Sequence, residues 1–434
     1  MAKTYRPYLP EQDLLLPPSL RDWLPESHLA YFVSDVVDQL DLSEIESYYE
    51  QEERGYPPYH PRMMTKILVY GYCVGVFSSR RLQKRLQEDV AFRVLAAGNE
   101  PDFRTLSDFR KLHLAALEGL FQQGLRMALE LGAMKLGRVA IDGSKLKANA
   151  SKHKAMSYQR MKEQEQRLRE EVRHLLQQAE AIDAAEDAEY GFNHLGDELP
   201  AELQRREERL RRIRAAKRAL QERARAEAEA EGKDQTEAAK VKPEAKAQYS
   251  FTDPESRILK GPDGFLQGYN AQIAVEPVVQ LIVGQTVTQQ ANDKRQLLPM
   301  LRQVQVQAGQ KPTAVLADNG YFSEKNLQGT AKMQVEAYVA VGKQKHDGMV
   351  PPCPRGPISK SATLLERMRR KLQTKMGRKI YARRKVIVEP VFGQIKQGRG
   401  FRQFLLRGID KVRGEWALVC MTHNLLKLHR ACCT

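Results

Sequence analysis

Three acids stand where apolar runs meet glycine or proline: Asp142 in VAIDGS, Asp318 in VLADNGY and Glu389 in VIVEPVFG. The two aspartates each close a short apolar run that reads as a buried strand. Sites in open α/β sheets gather beyond the carboxyl ends of strands, so both carboxylates are expected in one crevice. Around Glu389, the positions Val386, Val388, Phe392 and Ile395 suggest a helix with Lys385, Glu389 and Lys396 on its other side. Glu389 and Lys396 are two helical turns apart and share a face. Pro390 is expected at the first helical position or at a kink near the helix start. Two strand-end Asp and one helical Glu are the oxygen donors that Mg²⁺ or Mn²⁺ prefers. Two such ions ~3.5–4 Å apart activate an attacking oxygen and steady a leaving one at a phosphodiester. Lys396 would hold a phosphate beyond them. Taken singly, each acid has a plainer role: an Asp caps a turn, and Glu389 pairs with Arg or Lys. The chemistry rests on the three together. Asp253 in TDPESR and Asp293 in ANDKR compete as second or accessory acids, though both sit in polar loops.

The setting of Glu389 points to a polyanion. Between Arg355 and Arg413 there are eighteen Lys and Arg against three acids, a surplus close to the whole chain's +16. Within it, Arg383, Arg384, Lys385, Lys396, Arg399 and Arg402 are the expected phosphate contacts. At 434 residues, two or three domains are expected, and 42% hydrophobic with 29% charged content fits a globular chain. No run approaches the ~18 apolar residues of a membrane span, and the N-terminal MAKTYRPYLPEQD has no apolar core of a signal peptide. Five scattered cysteines lack metal-site spacing and suggest a reducing compartment.

The elements that would position these groups follow in order. Residues 1–135 read as helical, including 28–40, a buried helix and a basic helix within 57–89, and another starting at 105 and running to 131. Ser78 or Ser79 is the expected cap of the basic helix, whose Arg80, Arg81, Lys84 and Arg85 would contact DNA if the pair is a helix-turn-helix. Met161, Leu168, Val172, Leu175, Ala179 and Ile182 form a heptad-like seam, repeated by Leu203, Leu210, Ile213, Leu220 and Ala224. This predicts an antiparallel helical hairpin over 155–248 with a flexible return. Arg206 and Lys217 fall on the second seam and would loosen it or set its register. Strands over 269–276 and 281–289, a helix over 292–307, a strand ending at Asp318, a helix, a strand at 335–342 and terminal helices complete an α/β fold with a mixed sheet. His423 and Trp416 in the last helix are expected to be structural.

AIDGS, ADNGYFS and VEPVFGQIKQGRGFRQFLLRG, with the sheet order, resemble DDE transposases of bacterial insertion sequences. The likeness is to the IS eleven-eighty-two group of the wider IS-four/IS-five assemblage. It spans nearly the whole chain and includes HPRMMTKILVYGYCVGVFSSRRLQKRLQEDVAFRVLAAG and TDPESRILKGPDGFLQGYNAQIAV. The resemblance implies an RNase H-like catalytic core over 136–154 and 249–430, with the hairpin inserted and an all-α DNA-binding domain over 1–135. It implies Asp142, Asp318 and Glu389 as the triad binding two Mg²⁺ or Mn²⁺, with Lys396 beside them. Partners would be terminal inverted repeats and target DNA, engaged by a homodimer in the bacterial cytoplasm, at the nucleoid. The wider family often carries Tyr-x2-Arg-x3-Glu-x6-Lys. Here Lys385 and Ala382 occupy the Arg and Tyr spacings, with Arg384 and Tyr381 one residue away. A related nuclease that cuts without joining, or a regulator derived from a transposase, are the rival readings.

Overall fold

Helices open the chain: α1 (Leu29–Gln39), α2 (Ser43–Glu50), α3 (Pro61–Cys73), α4 (Ser79–Glu88), α5 (Val90–Leu95), α6 (Phe103–Leu112) and α7 (Leu114–Glu130). The computed structural model describes residues 19–50, 57–151, 155–190, 201–230, 232–261, 264–342 and 352–432. The expectations for the first eighteen residues and for the turn of the expected hairpin, over 191–200, lie outside them. Pro61 begins α3 where a missing N–H costs nothing, and the His60 ring accepts from Arg62 N. Ser78 occupies the cap position of α4, but its side chain makes no capping bond. The helix expected to start at 105 is two helices, α6 and α7. His113 breaks them, held out of helical geometry by a 3.0 Å bond to the Tyr49 hydroxyl and contact with Phe109.

The main sheet comprises β1 (Arg138–Lys147), β4 (Arg257–Gly261), β5 (Gly264–Val275), β6 (Ile282–Thr288), β7 (Ala314–Ala317) and β8 (Glu336–Val339). Its order is β4-β5-β1-β7-β8, and β6 also pairs with β5. β5 is antiparallel to β1 and β6, while β1, β7 and β8 run parallel. β1 is longer than its apolar run foretold. GSKLK continues the strand because residues 143–147 pair with 272–268 of β5, so Asp142 lies mid-strand, at the level where β7 ends.

Where the hairpin is expected, α8 (Tyr158–Tyr190) packs against α9 (Ala201–Ala230), and β2 (Ala155–Ser157) pairs with β3 (Gln248–Ser250) at their base. Glu165 fills the gap in the first seam. Its nearly buried carboxylate takes Lys217 at 2.6 Å and Arg214 at 3.3 Å, and Glu171 takes Arg206 at 3.1 Å. Arg206 and Lys217 therefore set the register across the hairpin, since each has an acid opposite. The return contains a short helix, α10 (Gln235–Ala238), with Ala238 buried.

The remaining helices are α11 (Leu297–Ala308), α12 (Glu324–Lys332), α13 (Leu364–Gln373), α14 (Lys375–Gly393) and α15 (Ile409–Cys432). Pro390 lies inside α14 near its end, not at its start. A proline there leaves the carbonyl four residues back without its helical donor. That carbonyl, on Val386, accepts instead from Gln280 Nε2 at 2.9 Å. A π-helical turn follows at Gln394–Gly398.

α15 is the central helix. Trp416 is fully buried against Phe392, Phe401 and Phe404, and its indole N–H donates to Gln272 O. His423 bonds Gln280 O at 3.1 Å, and burial pushes its pKa down to about 3. The unfolded ring titrates near 6.5, so between about 3 and 6.5 the unfolded chain binds the extra proton. Stability from this site is complete above about pH 6.5 and falls as pH drops toward 3. His423→Gln should remove that slope, sparing up to about 3 kcal/mol at pH 4 relative to wild type. Urea denaturation at pH 7 and pH 4 measures it, and parallel losses in both proteins would exclude His423 as the cause. Among the described residues no helix is long and apolar enough to cross a membrane.

Candidate active site

β1 and β7 set the first two acids. Their register pairs Arg138 with Ala314, Val139 with Val315 and Ala140 with Leu316. Continued by two residues, it brings Asp142 level with Asp318. Asp142 accepts from its neighbour Gly143 N at 2.9 Å and from Arg384 at 3.2 Å. Burial pushes its pKa up to about 6; Arg384 opposes the shift and the Asp318 charge adds to it. Asp318 caps a 3₁₀ turn, Asn319–Tyr321, by accepting from Gly320 N at 2.8 Å. Its pKa is also raised, first by burial.

The third acid arrives on α14. Glu389 is about half exposed, with its carboxylate 3.7 Å from the Arg384 guanidinium. Arg384 is itself nearly buried and so spans Asp142 and Glu389. Tyr381 packs beside it, while Ala382 and Lys385 face solvent. Helix geometry thus turns Tyr381 and Arg384, rather than Ala382 and Lys385, toward the acids. Lys396 reaches Ser144 on β1 and lies 5.9 Å over the Phe392 ring. Burial lowers its pKa against the opposing pull of Asp142.

Asp293 joins this group, although its sequence context reads as a polar loop. It accepts from Asn270 and Gln272, each at 2.7 Å, and pairs with Lys145 at 3.4 Å. A Cβ at Gly143 would lie 2.8 Å from Asp293 Oδ1, and one at Gly320 would lie 3.7 Å from Oδ2. Side chains alternate along β1, so Lys145 leaves the strand on the face opposite Asp142 and Ser144, while Lys145 and Asp293 both act electrostatically on Asp318. The available signal was in β5: Asn270 and Gln272 are polar residues on a central strand, and buried amides need partners. Asp253, the other accessory acid, is fully buried and accepts from Tyr269 and Gly408, a structural role.

The expected DNA contacts divide. Arg80, Arg81, Lys84 and Arg85 are exposed on α4. Arg80 lies over the Phe103 ring, and Lys84 and Arg85 make i,i+4 pairs with Glu88 and Asp89 that cost little to break. Arg399 is turned inward. It donates to Thr422 Oγ1, Val419 O and Tyr72 O, and burial lowers its pKa to about 10, so it ties α15 to α3. Arg402 donates to Lys396 O and Gln397, bracing the π turn. Arg383 lines a 220 Å³ cavity with Lys135, Arg138 and Ile387, at the end of β1 away from Asp142. Of the basic stretch, Arg384 meets Asp142 and Glu389, and Lys396 meets Ser144 beside Asp142.

Asp142, Asp318 and Glu389 offer the oxygen donors that a hard divalent cation takes. In kind they fit. In arrangement Arg384 intervenes, and among the described residues no group of three His, Cys, Asp or Glu is gathered closely enough to hold an ion.

Two family models match the chain. Residues 18–112 match a transposase domain (DUF772), and residues 357–429 match a transposase DDE domain. The first covers α1 to α6 and the second holds Arg384, Glu389 and Lys396. No curated protein and no solved structure matches. Both matches are to transposase domains, and together they cover less than half of the chain.

Proposed function

We propose that the chain is a DDE transposase that cuts the ends of an insertion sequence and joins them to target DNA. The observation that carries this reading is the β1–β7 register, which sets Asp142 beside Asp318, with Glu389 linked to Asp142 through Arg384. The strand sequence β6-β5-β1-β7-β8, three antiparallel then two parallel, supports an RNase H-like core. Membership of the IS eleven-eighty-two group rests on the sequence likeness.

Asp142, Asp318 and Glu389 would hold two Mg²⁺ or Mn²⁺, which when bound polarise the attacking and leaving oxygens of a phosphodiester. In the first reaction water attacks phosphorus, and the bond to the 3′-oxygen breaks to free a 3′-hydroxyl. In the second that hydroxyl attacks a target phosphodiester, joining the strands and releasing a target 3′-hydroxyl. Lys396, which contacts Ser144 beside Asp142, would meet a phosphate oxygen. Arg80, Arg81, Lys84 and Arg85 on the exposed face of α4 would grip the terminal inverted repeats. Joining two ends calls for a homodimer on DNA.

Cleavage and strand transfer of DNA carrying the element's own ends, with Mg²⁺, test this reading against Glu389→Gln. Wild type should cut and join, while the variant binds DNA and does neither. A variant as active as wild type would reduce Glu389 to a partner of Arg384. Cutting without joining would make the protein a nuclease.

A further inference from the structure

Arg384 differs from the cations around it. Arg383 and Lys385 on either side face solvent, whereas the Arg384 side chain is only 9% exposed. Its guanidinium lies 3.2 Å from Asp142 Oδ2 and 3.7 Å from Glu389 Oε1. One planar cation thus spans two of the three carboxylates that the proposed chemistry requires.

We propose that Arg384 is a competing counter-ion: it must leave Asp142 and Glu389 for divalent cations to bind there, and on leaving it takes a phosphate oxygen of the bound DNA. This rests on the transposase reading. A guanidinium and a divalent ion on the same carboxylate oxygens repel each other, so the two occupancies exclude one another. An arginine suits both positions. Its fork spans two carboxylates, and it matches two phosphate oxygens equally well. A departing guanidinium has a route, because Glu389 is about half exposed and opens this side of the site to solvent. It also has a destination. Lys396 beside Ser144 stands on the same face, so a DNA strand held by Lys396 passes within reach of α14.

Two consequences follow. DNA offers Arg384 another anion and so eases its departure; metal and DNA binding then favour each other, reciprocally. Without DNA the acids stay occupied by Arg384, which keeps the protein a poor nuclease until the proper substrate is bound.

The test is Mg²⁺ binding by the full chain without DNA, measured by calorimetry, for wild type, Arg384→Gln, Arg384→Lys and Asp142→Asn. Arg384→Gln should bind Mg²⁺ at least about tenfold more tightly than wild type, because a like charge is removed from the ligands. Arg384→Lys keeps a charge that cannot span both carboxylates, so it should bind a few fold more tightly. Asp142→Asn should lose binding. If Arg384→Gln binds no better than wild type while Asp142→Asn still loses binding, the counter-ion is excluded and the carboxylates stand as ligands. If no variant differs and Asp142→Asn is without effect, the metal reading falls and the counter-ion with it. Should the Gln variant fail to fold, the Lys variant decides: unchanged or weaker Mg²⁺ binding overturns the proposal.

Discussion

Asp142→Asn and Asp318→Asn should each lower DNA cleavage by at least about a hundredfold while leaving DNA binding within about threefold of wild type. Charge stabilisation at the reacting phosphate is the main contribution a protein makes to in-line displacement, and one lost donor of it costs roughly 10²–10³. An anionic ligand lost from a cation site should cost no less. The swap keeps size and shape, so β1 and β7 should keep their register. Affinity for DNA comes from cations on other elements, among them exposed Arg80, Arg81, Lys84 and Arg85. Single-turnover cleavage of labelled element ends, with filter binding on the same preparations, separates the two effects. Asp293→Asn is the informative comparison, since Asp293 accepts from Asn270 and Gln272 behind the two glycines and pairs with Lys145. A deficit there equal to that of Asp142→Asn, with Asp318→Asn active, would make Asp293 and not Asp318 the second acid.

Local pattern made much of this legible. Alternation and apolar runs located β5, β6, β7 and β8, and the heptad steps located α8 and α9. Asp318 lay where its strand stopped. The failures have physical causes. β1 runs on through Gly-Ser-Lys because β5 pairs with it, and no local propensity records a partner more than a hundred residues away. Pro390 sits inside α14 because Gln280, from the β5–β6 turn, supplies the donor that proline lacks. Charge composition predicted a polyanion surface, but it does not say which arginines are outside. Arg399 and Arg384 are exceptions for opposite reasons. One finds three backbone and side-chain oxygens at α3 and α15; the other finds two carboxylates. A buried arginine needs such acceptors, and they come from distant segments.

The same long-range packing predicts the largest effect on stability, from Glu415→Ala. Glu415 is fully buried on α15 and accepts from Leu405 N, Leu406 N and the Tyr72 hydroxyl of α3. Arg110 of α6, also buried, donates to Tyr72 and to Phe77 O. Removing the carboxylate strands three donors and leaves the Arg110 charge without its nearby anion. Breaking a buried charged network by one partner costs about 3–5 kcal/mol. Glu415→Gln keeps the volume and one acceptor oxygen, and burial already disfavours the charged form, raising the Glu415 pKa; it should cost less than Ala. Because the network joins α3, α6 and α15, the loss should shift the whole urea transition. A separate early phase confined to the N-terminal helices would mean they fold apart from the sheet, and an Ala variant within about 0.5 kcal/mol of wild type would exclude the network as a strut. The functional stake is alignment. α4, with its exposed arginines, packs against α6 and α3, and Asp142 and Asp318 sit on the sheet against which α15 packs. Tyr72, Arg110 and Glu415 fix the distance between the helix proposed to hold the DNA end and the acids proposed to cut it, so loosening them should lower cleavage more than DNA affinity.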